Sequence, residues 1–300
     1  RYFDGGRWPK AADGGGSTLE LRDLNADNGD AVAWAASDES SRTEWKTYTY
    51  RERAASSRGP DNQWREFNMG LLSDGEMLID DISVIENPDG GAVQKLSDTT
   101  FNNAAAWKLV GNHRHGEIID DPDTPGNKVL RIVATGATEH MHNQIFTKLS
   151  SAISNGTEYE ISFRARWVSG SRQLHTRLYF NRCANVNLID RPQDVGSPSA
   201  PNSRAEVNIG PTYSGMKHSP VVPSAGEPTT VSVVANDPDG ISSLTLFYSV
   251  NGGVFQTVGM GGGAGGSYSG QVPGQSAGAR VQFYLTGADS AGATQTFPQA

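Results

Sequence analysis

Between Tyr159 and Trp167 every second side chain is apolar. Tyr159, Ile161, Phe163, Ala165 and Trp167 alternate with Glu160, Ser162, Arg164 and Arg166. The run from Leu174 to Phe180 alternates in the same way, and Val129-Leu130-Arg131-Ile132-Val133 forms a shorter apolar stretch before both. A period of two puts one set of side chains on each face of a strand, so these segments predict sheets with one buried and one wet face. The wet positions carry Arg164, Arg166, His175 and Arg177, with Asn181 and Arg182 just beyond, and Glu139-His140-Met141-His142-Asn143 alternates again. Polar, hydrogen-bonding side chains gathered on a sheet face read as a binding surface.

Glycine is abundant, at 35 of 300 residues, and Val, Ile, Thr and aromatic residues dominate the periodic segments. Such a chain is predicted to be all-β and built from more than one module. A net charge of -8 argues against a nucleic-acid groove, which needs a basic patch. The apolar runs are too short to span a bilayer, so membrane insertion is not expected. The chain opens at Arg1 rather than at a methionine, which reads as a processed protein or an excised fragment. Cys183 is the single cysteine, so neither an intrachain disulfide nor a cysteine zinc site is expected. It reads as an inert residue at a strand end.

Taken in order, residues 1–41 offer a glycine turn, one short strand at Ser17-Thr18-Leu19-Glu20-Leu21 and a polar loop ending at Trp34-Ala35-Ala36-Ser37. With Trp8-Pro9 and Asp13-Gly14, this pattern resembles the C-terminal part of the lamin-tail domain of bacterial surface proteins. Residues 42–192 predict strands at 45–50, 64–72, 77–85, 116–119, 129–134, 144–149, 159–167 and 174–180. In Leu78-Ile79-Asp80-Asp81-Ile82-Ser83-Val84 the paired aspartates resemble the closing strand of jelly-roll carbohydrate-binding modules. Thr100-Phe101-Asn102-Asn103 with Trp107 resembles their opening strand, although the family's glutamate is Asn102 here. The closing strand precedes the opening one, so 42–192 is expected to be a single, circularly permuted jelly roll in which 77–85 packs with the strands of 101–181. The resemblance implies a structural calcium ion at Asp80 and Asp81.

Residues 193–217, rich in Pro, Ser and Gly, are expected to be a linker. Residues 218–300 predict strands at 230–236, 243–250, 253–260, 266–272, 280–289 and 294–297, with turns at Asp239-Gly240 and Asn251-Gly252. Asp237-Pro238-Asp239-Gly240-Ile241 and Ala288-Asp289-Ser290-Ala291-Gly292 resemble the immunoglobulin-like or fibronectin type III-like modules of bacterial secreted proteins. The order of segments resembles parts of large planctomycete-type surface proteins that often carry a CotH-like kinase domain elsewhere. No kinase motif lies in this chain. The expected fold is therefore a jelly-roll β-sandwich followed by an immunoglobulin-like one, at an extracellular or cell-surface address.

The leading expectation is a non-catalytic binding or adhesion module for a polysaccharide, with His140, His142, Asn143, Arg177, Tyr179 and Asn181 as its surface. Aromatic faces stack on sugar C–H groups, and Arg, Asn and His satisfy hydroxyls. Trp107 and Tyr179 are candidate platforms, whereas Trp167 keeps phase with the core. A structural stalk or assembly subunit, with these residues facing neighbouring chains, is the alternative. A metal-dependent enzyme is the third reading, and it requires His113, His115, His140, His142 or His175 to converge. No nucleophile elbow or other catalytic motif is present.

Overall fold

The computed structural model describes residues 8–138 and 143–298. Among them nearly all regular structure is strand, and no helix is long and apolar enough to cross a membrane. The chain divides into two compact units. The first comprises 9–19 and 36–203, and the second 20–35 and 204–298, with residue 8. Residues 8–41 are thus shared between the units, and their strands β1 (Leu19–Leu21) and β2 (Trp34–Ala36) pair as a two-stranded ribbon.

The first unit is a sandwich of two antiparallel sheets. Its strands are β3 (Lys46–Arg53), β4 (Glu66–Leu71), β5 (Gly75–Glu86), β6 (Val93–Gln94), β7 (Trp107–Leu109), β8 (Glu117–Asp120), β9 (Lys128–Ala134), β10 (Ile145–Lys148), β11 (Glu158–Gly170), β12 (Gln173–Leu178) and β13 (Arg182–Leu188). One sheet runs β3-β11-β5-β9-β8, with β6 on the side of β5, and the other runs β13-β12-β4-β10-β7. The expected packing of 77–85 is present: β5 lies between β11 and β9, and β4 between β10 and β12.

The alternation explains the core. Ile161, Phe163, Ala165 and Trp167 of β11 meet Phe67, Met69 and Leu71 of β4, and Leu174 and Leu178 of β12, in one buried cluster. Trp167 is fully buried and donates its indole N–H to the Gly170 carbonyl at 3.1 Å. Residues 9–19 and 36–43 close one end of this sandwich. Glu39 is fully buried there and accepts from Ser37 Oγ and Gly196 N, both at 2.6 Å, while its own N–H bonds the Val168 carbonyl.

Two expectations need correction. The last strand expected in 42–192 is 174–180, yet β13 adds an edge strand after it; Ala184-Asn185-Val186-Asn187-Leu188 does alternate, but with its apolar set turned to solvent. The range 193–217 also contains the start of β14 (Thr212–Ser219), hidden by Gly215 and by a bulge between Ser214 and Lys217.

In the second unit, β14 joins β15 (Thr229–Asn236), β16 (Ile241–Val250), β17 (Gln256–Gly259), β18 (Gly261–Gly262), β19 (Ser267–Val272), β20 (Val281–Asp289) and β21 (Thr294–Phe297). Its sheets run β14-β15-β19-β18 and β17-β16-β20-β21, around Tyr213, Val231, Val233, Leu244, Leu246 and Leu285. Asn251 and Gly252 both take left-handed φ values, 53° and 75°, as a tight turn after β16 requires. The segment 20–35 is tied in by Asp23, which accepts from Ile209 N, and by Arg22, which pairs with Glu206 at 2.6 Å.

Candidate functional site

The polar positions of β11 and β12 do not form one surface. Between Gly170 and Gln173 the chain crosses from one sheet to the other, so Arg164 and Arg166 lie on the outer face of the six-stranded sheet. His175 and Arg177 lie on the outer face of the five-stranded sheet.

Most cations of the six-stranded face are ion-paired; Arg53, at its edge, instead donates to the Gly156 carbonyl. Arg164 and Arg166 stack over Trp45, with each guanidinium carbon about 5 Å from the ring centre (5.1 and 5.2 Å). Arg166 pairs with Asp123, Lys128 with Asp120, Arg131 with Glu76 and Glu117, and Arg51 with Asp89 and Glu160. Asp80 and Asp81 belong to this face. Consecutive strand residues normally point to opposite sides, but Asp81 has φ of 47° and the pairing with β11 slips between Ser162 and Arg164. This bulge lets both carboxylates reach Arg164, at 3.6 and 3.1 Å. Asn127 also donates to Asp80 Oδ2 and Asp121 Oδ2, both at 3.0 Å. The partners of Asp80 and Asp81 are thus nitrogen donors, although the buried Asp80 Oδ1 has none.

On the five-stranded face, register places Arg177, Asn68, Phe146 and Lys108 side by side across β12, β4, β10 and β7. His175 sits beside Gly70, and Lys148 opposite Glu66. Asn68 is 1% exposed, yet neither its amide nitrogen nor its oxygen has a hydrogen-bond partner among the described residues. It lines a notch of about 30 Å³ with Asn143, Gln144, His175 and Arg177. That volume admits a water or one polar substituent, not a ring. Arg177 donates to Asn181 Oδ1 and, at 3.0 Å, to Gln144 Oε1. Burial pushes the His175 imidazole pKa down, and the Arg177 charge beside it adds to the effect, so both favour the neutral ring. Next to the notch, a groove of about 420 Å³ is lined by Lys108, Phe146, Lys148 and Ala106.

At the end of β12 the chain turns through Phe180 and Asn181, whose φ values of 63° and 56° are left-handed. The turn is fixed by Arg182, fully buried, which donates to the Tyr179 and Pro60 carbonyls at 3.1 Å. It sets Trp64, Tyr179 and Phe180 into an aromatic cluster with ring centres 4.8 to 5.9 Å apart. Trp64 is 38% and Phe180 43% exposed.

Of the predicted surface, then, Asn143 and Arg177 share the notch, Asn181 is bonded to Arg177, and Tyr179 stands in the neighbouring aromatic cluster. His140 and His142 lie outside the described residues. Trp107 is not a platform, because it is 3% exposed, packs on Phe101 and donates to Asp98. His113 and His115 do not share a strand face, since 111–113 forms a 3-10 turn that buries His113 and leaves His115 exposed. His113 Nε2 accepts from Leu71 N at 3.0 Å. Among the described residues no three metal-ligating groups converge on any histidine. Cys183 is buried, donates to the Glu52 carbonyl, and has its thiol pushed up to about 12 by burial. Sequence reasoning missed Asn68, Gln144, Lys108, Lys148, Trp64 and Phe180. Lys108 and Lys148 each stand next to a buried residue in a short strand, a weak sign that they face outward.

In the second unit, oxygens of Asp237, Asp239 and Asp289 lie within 4.8 Å of one another. N–H donors hold them: Asn208 and Ala293 N bond Asp289, and Asp239 N bonds Asp237. Burial raises the Asp237 pKa, with the other two carboxylates adding to the rise.

The fold and site define a tandem β-sandwich protein with a polar face on its first sandwich. No protein-family model matches the chain, and no curated protein does. Among solved structures it is similar to a DUF4785 family protein from Legionella pneumophila, at 8% identity and a TM-score of 0.24, over 87% of this chain and 65% of that one. It is also similar to a pullulanase from Bacillus acidopullulyticus, at 11% identity and a TM-score of 0.19, over 78% of this chain and 34% of that one. Likeness at this level carries no functional argument.

Proposed function

We propose that the first unit is a non-catalytic polysaccharide-binding module of an extracellular or cell-surface protein, with its ligand lying across the five-stranded sheet. The observation that carries this reading is the pair of exposed rings, Trp64 and Phe180, packed on the half-buried Tyr179 beside Arg177 and Asn181. Aromatic rings cover the apolar faces of sugars, and the adjoining polar groups bond their hydroxyls. The notch is too small to enclose a small molecule, which favours a chain laid over the surface.

Trp64→Ala and Phe180→Asn are each expected to lower polysaccharide retention of the full chain about ten-fold, the loss of roughly 1.4 kcal/mol of stacking. Asparagine tolerates the left-handed backbone at 180, so this variant removes the ring without straining the turn. Affinity electrophoresis against a panel of polysaccharides measures the effect. Unchanged retention in both variants would overturn the assignment of the site.

One observation favours assembly instead. β13 is an edge strand with Val186 and Leu188 exposed at 46% and 59%, and an uncovered apolar edge can add a strand from a neighbouring chain. Concentration-dependent association that Val186→Lys abolishes would support that reading.

A further inference from the structure

We infer that the ligand of the five-stranded face is an anionic polysaccharide, with one acidic substituent seated in the notch between Asn68 and Arg177. This rests on the polysaccharide reading above and goes beyond it by naming the charge of the ligand.

The argument begins with the contrast between the two outer faces of one sandwich. On the six-stranded sheet Arg51, Lys128, Arg131, Arg164 and Arg166 each meet a carboxylate within 4.0 Å. On the five-stranded sheet Arg177, Lys108 and Lys148 form no ion pair with any described residue, and Glu66 is the one acidic side chain in the rows that contain them. A chain with net charge -8 has carboxylates to spare, yet among the described residues none forms an ion pair with these three cations, and Arg177 meets only the neutral oxygens of Asn181 and Gln144.

The notch adds an independent observation. A primary amide buried to 1% exposure, with neither end bonded to any described residue, is costly unless something else completes it. Its amide N–H group and the Arg177 guanidinium line the notch, whose volume of about 30 Å³ takes one oxygen of an acidic substituent. The same row leads through Phe146 to the groove lined by Lys108 and Lys148. Strands stand about 4.8 Å apart, so Arg177 and Lys108 are separated by roughly 14 Å across the sheet. The cations are therefore spaced to meet acidic groups recurring along a chain rather than one small anion.

The test is retention of the full chain on dextran, carboxymethyl dextran and dextran sulfate, which share a backbone, and on polygalacturonate, at low and high salt. Salt-sensitive retention by a charged polymer but not by dextran is expected, and the carboxylated and sulfated arms distinguish the source of the anion. Arg177→Gln should lower retention about ten-fold, and Lys108→Gln with Lys148→Gln about five-fold. Lys46→Gln with Lys128→Gln makes the same change in net charge on the other sheet and should leave retention unchanged. Equal loss in the two lysine pairs would overturn the inference, because bulk charge would then explain binding. Equal, salt-insensitive retention by neutral and anionic polymers would overturn the inference and leave the polysaccharide reading standing. Retention by no polysaccharide would overturn both.

Discussion

Replacing Glu86 with leucine is expected to destabilise the first unit by about 3–5 kcal/mol. Lys95 is 1% exposed, and its ammonium meets Glu86 Oε2 at 2.8 Å and Ser151 Oγ. The second carboxylate oxygen accepts from the Tyr159 hydroxyl at 2.8 Å, and that hydroxyl accepts from Ser154 N at 2.9 Å. Burial works against the ionised Glu86, but the bonds from Lys95 and Tyr159 outweigh it and hold the carboxyl below its usual pKa. Removing Glu86 leaves a buried ammonium without its counter-ion and the Tyr159 O–H without its acceptor. The double variant Glu86→Leu with Lys95→Met removes the charge along with its partner and should recover much of the loss. Guanidinium unfolding of the three proteins measures this. A loss below about 1 kcal/mol in the single variant would show that water reaches Lys95 and that the pair contributes as little as a surface one.

The second large effect is a pH dependence centred on His113. The ring is fully buried, and burial lowers its pKa to about 4 from an ordinary value near 6.5. Its Nε2 accepts the Leu71 N–H, so the neutral form is the one the fold uses. Between these two values the unfolded chain binds the proton and the folded chain does not. Stability therefore rises with pH through this window, and it is lost as pH falls from about 6.5 towards 4. The full change is on the order of 3 kcal/mol. Glutamine at 113 keeps a neutral acceptor that does not titrate. The stability difference between the native chain and His113→Gln should therefore shrink or reverse by that amount on acidification. Parallel curves for the two proteins would show that the imidazole is hydrated and titrates normally.

The strands were legible where apolar spacing was regular. Tyr159 to Trp167 and Leu174 to Leu178 fold as their alternation requires, and the second unit's strands fall within a few residues of their expected positions. Two edge strands were not: β13 alternates over 184–188 but exposes its apolar set, and β14 is interrupted by Gly215 and its bulge. The site was legible by residue type but not by placement. Arg177 and Asn181 could be picked out as polar residues after a periodic run. That Arg164 belongs to a different face depends on the chain changing sheets at Ser171-Arg172, which local periodicity does not encode. The juxtaposition of Asn68, Phe146 and Lys108 depends on pairing between strands far apart in sequence, and the bulge at Asp81 shows how one residue re-aims a side chain.

The threading of the first sandwich has a consequence for how the molecule is made. β4 and β5 both have their two sheet neighbours later in the chain, β10 with β12 and β9 with β11. As synthesis proceeds, these early strands leave the ribosome before their sheet neighbours, and Met77, Ile79, Ile82 and Val84 have only β4 of the opposite sheet to pack on. They must wait until β11 and β12 have emerged, since non-local pairing cannot begin before its partners exist. A chain that stalls before Glu158 therefore presents bare strand edges to its surroundings, and nascent chains of this protein should depend on being shielded until their second half arrives.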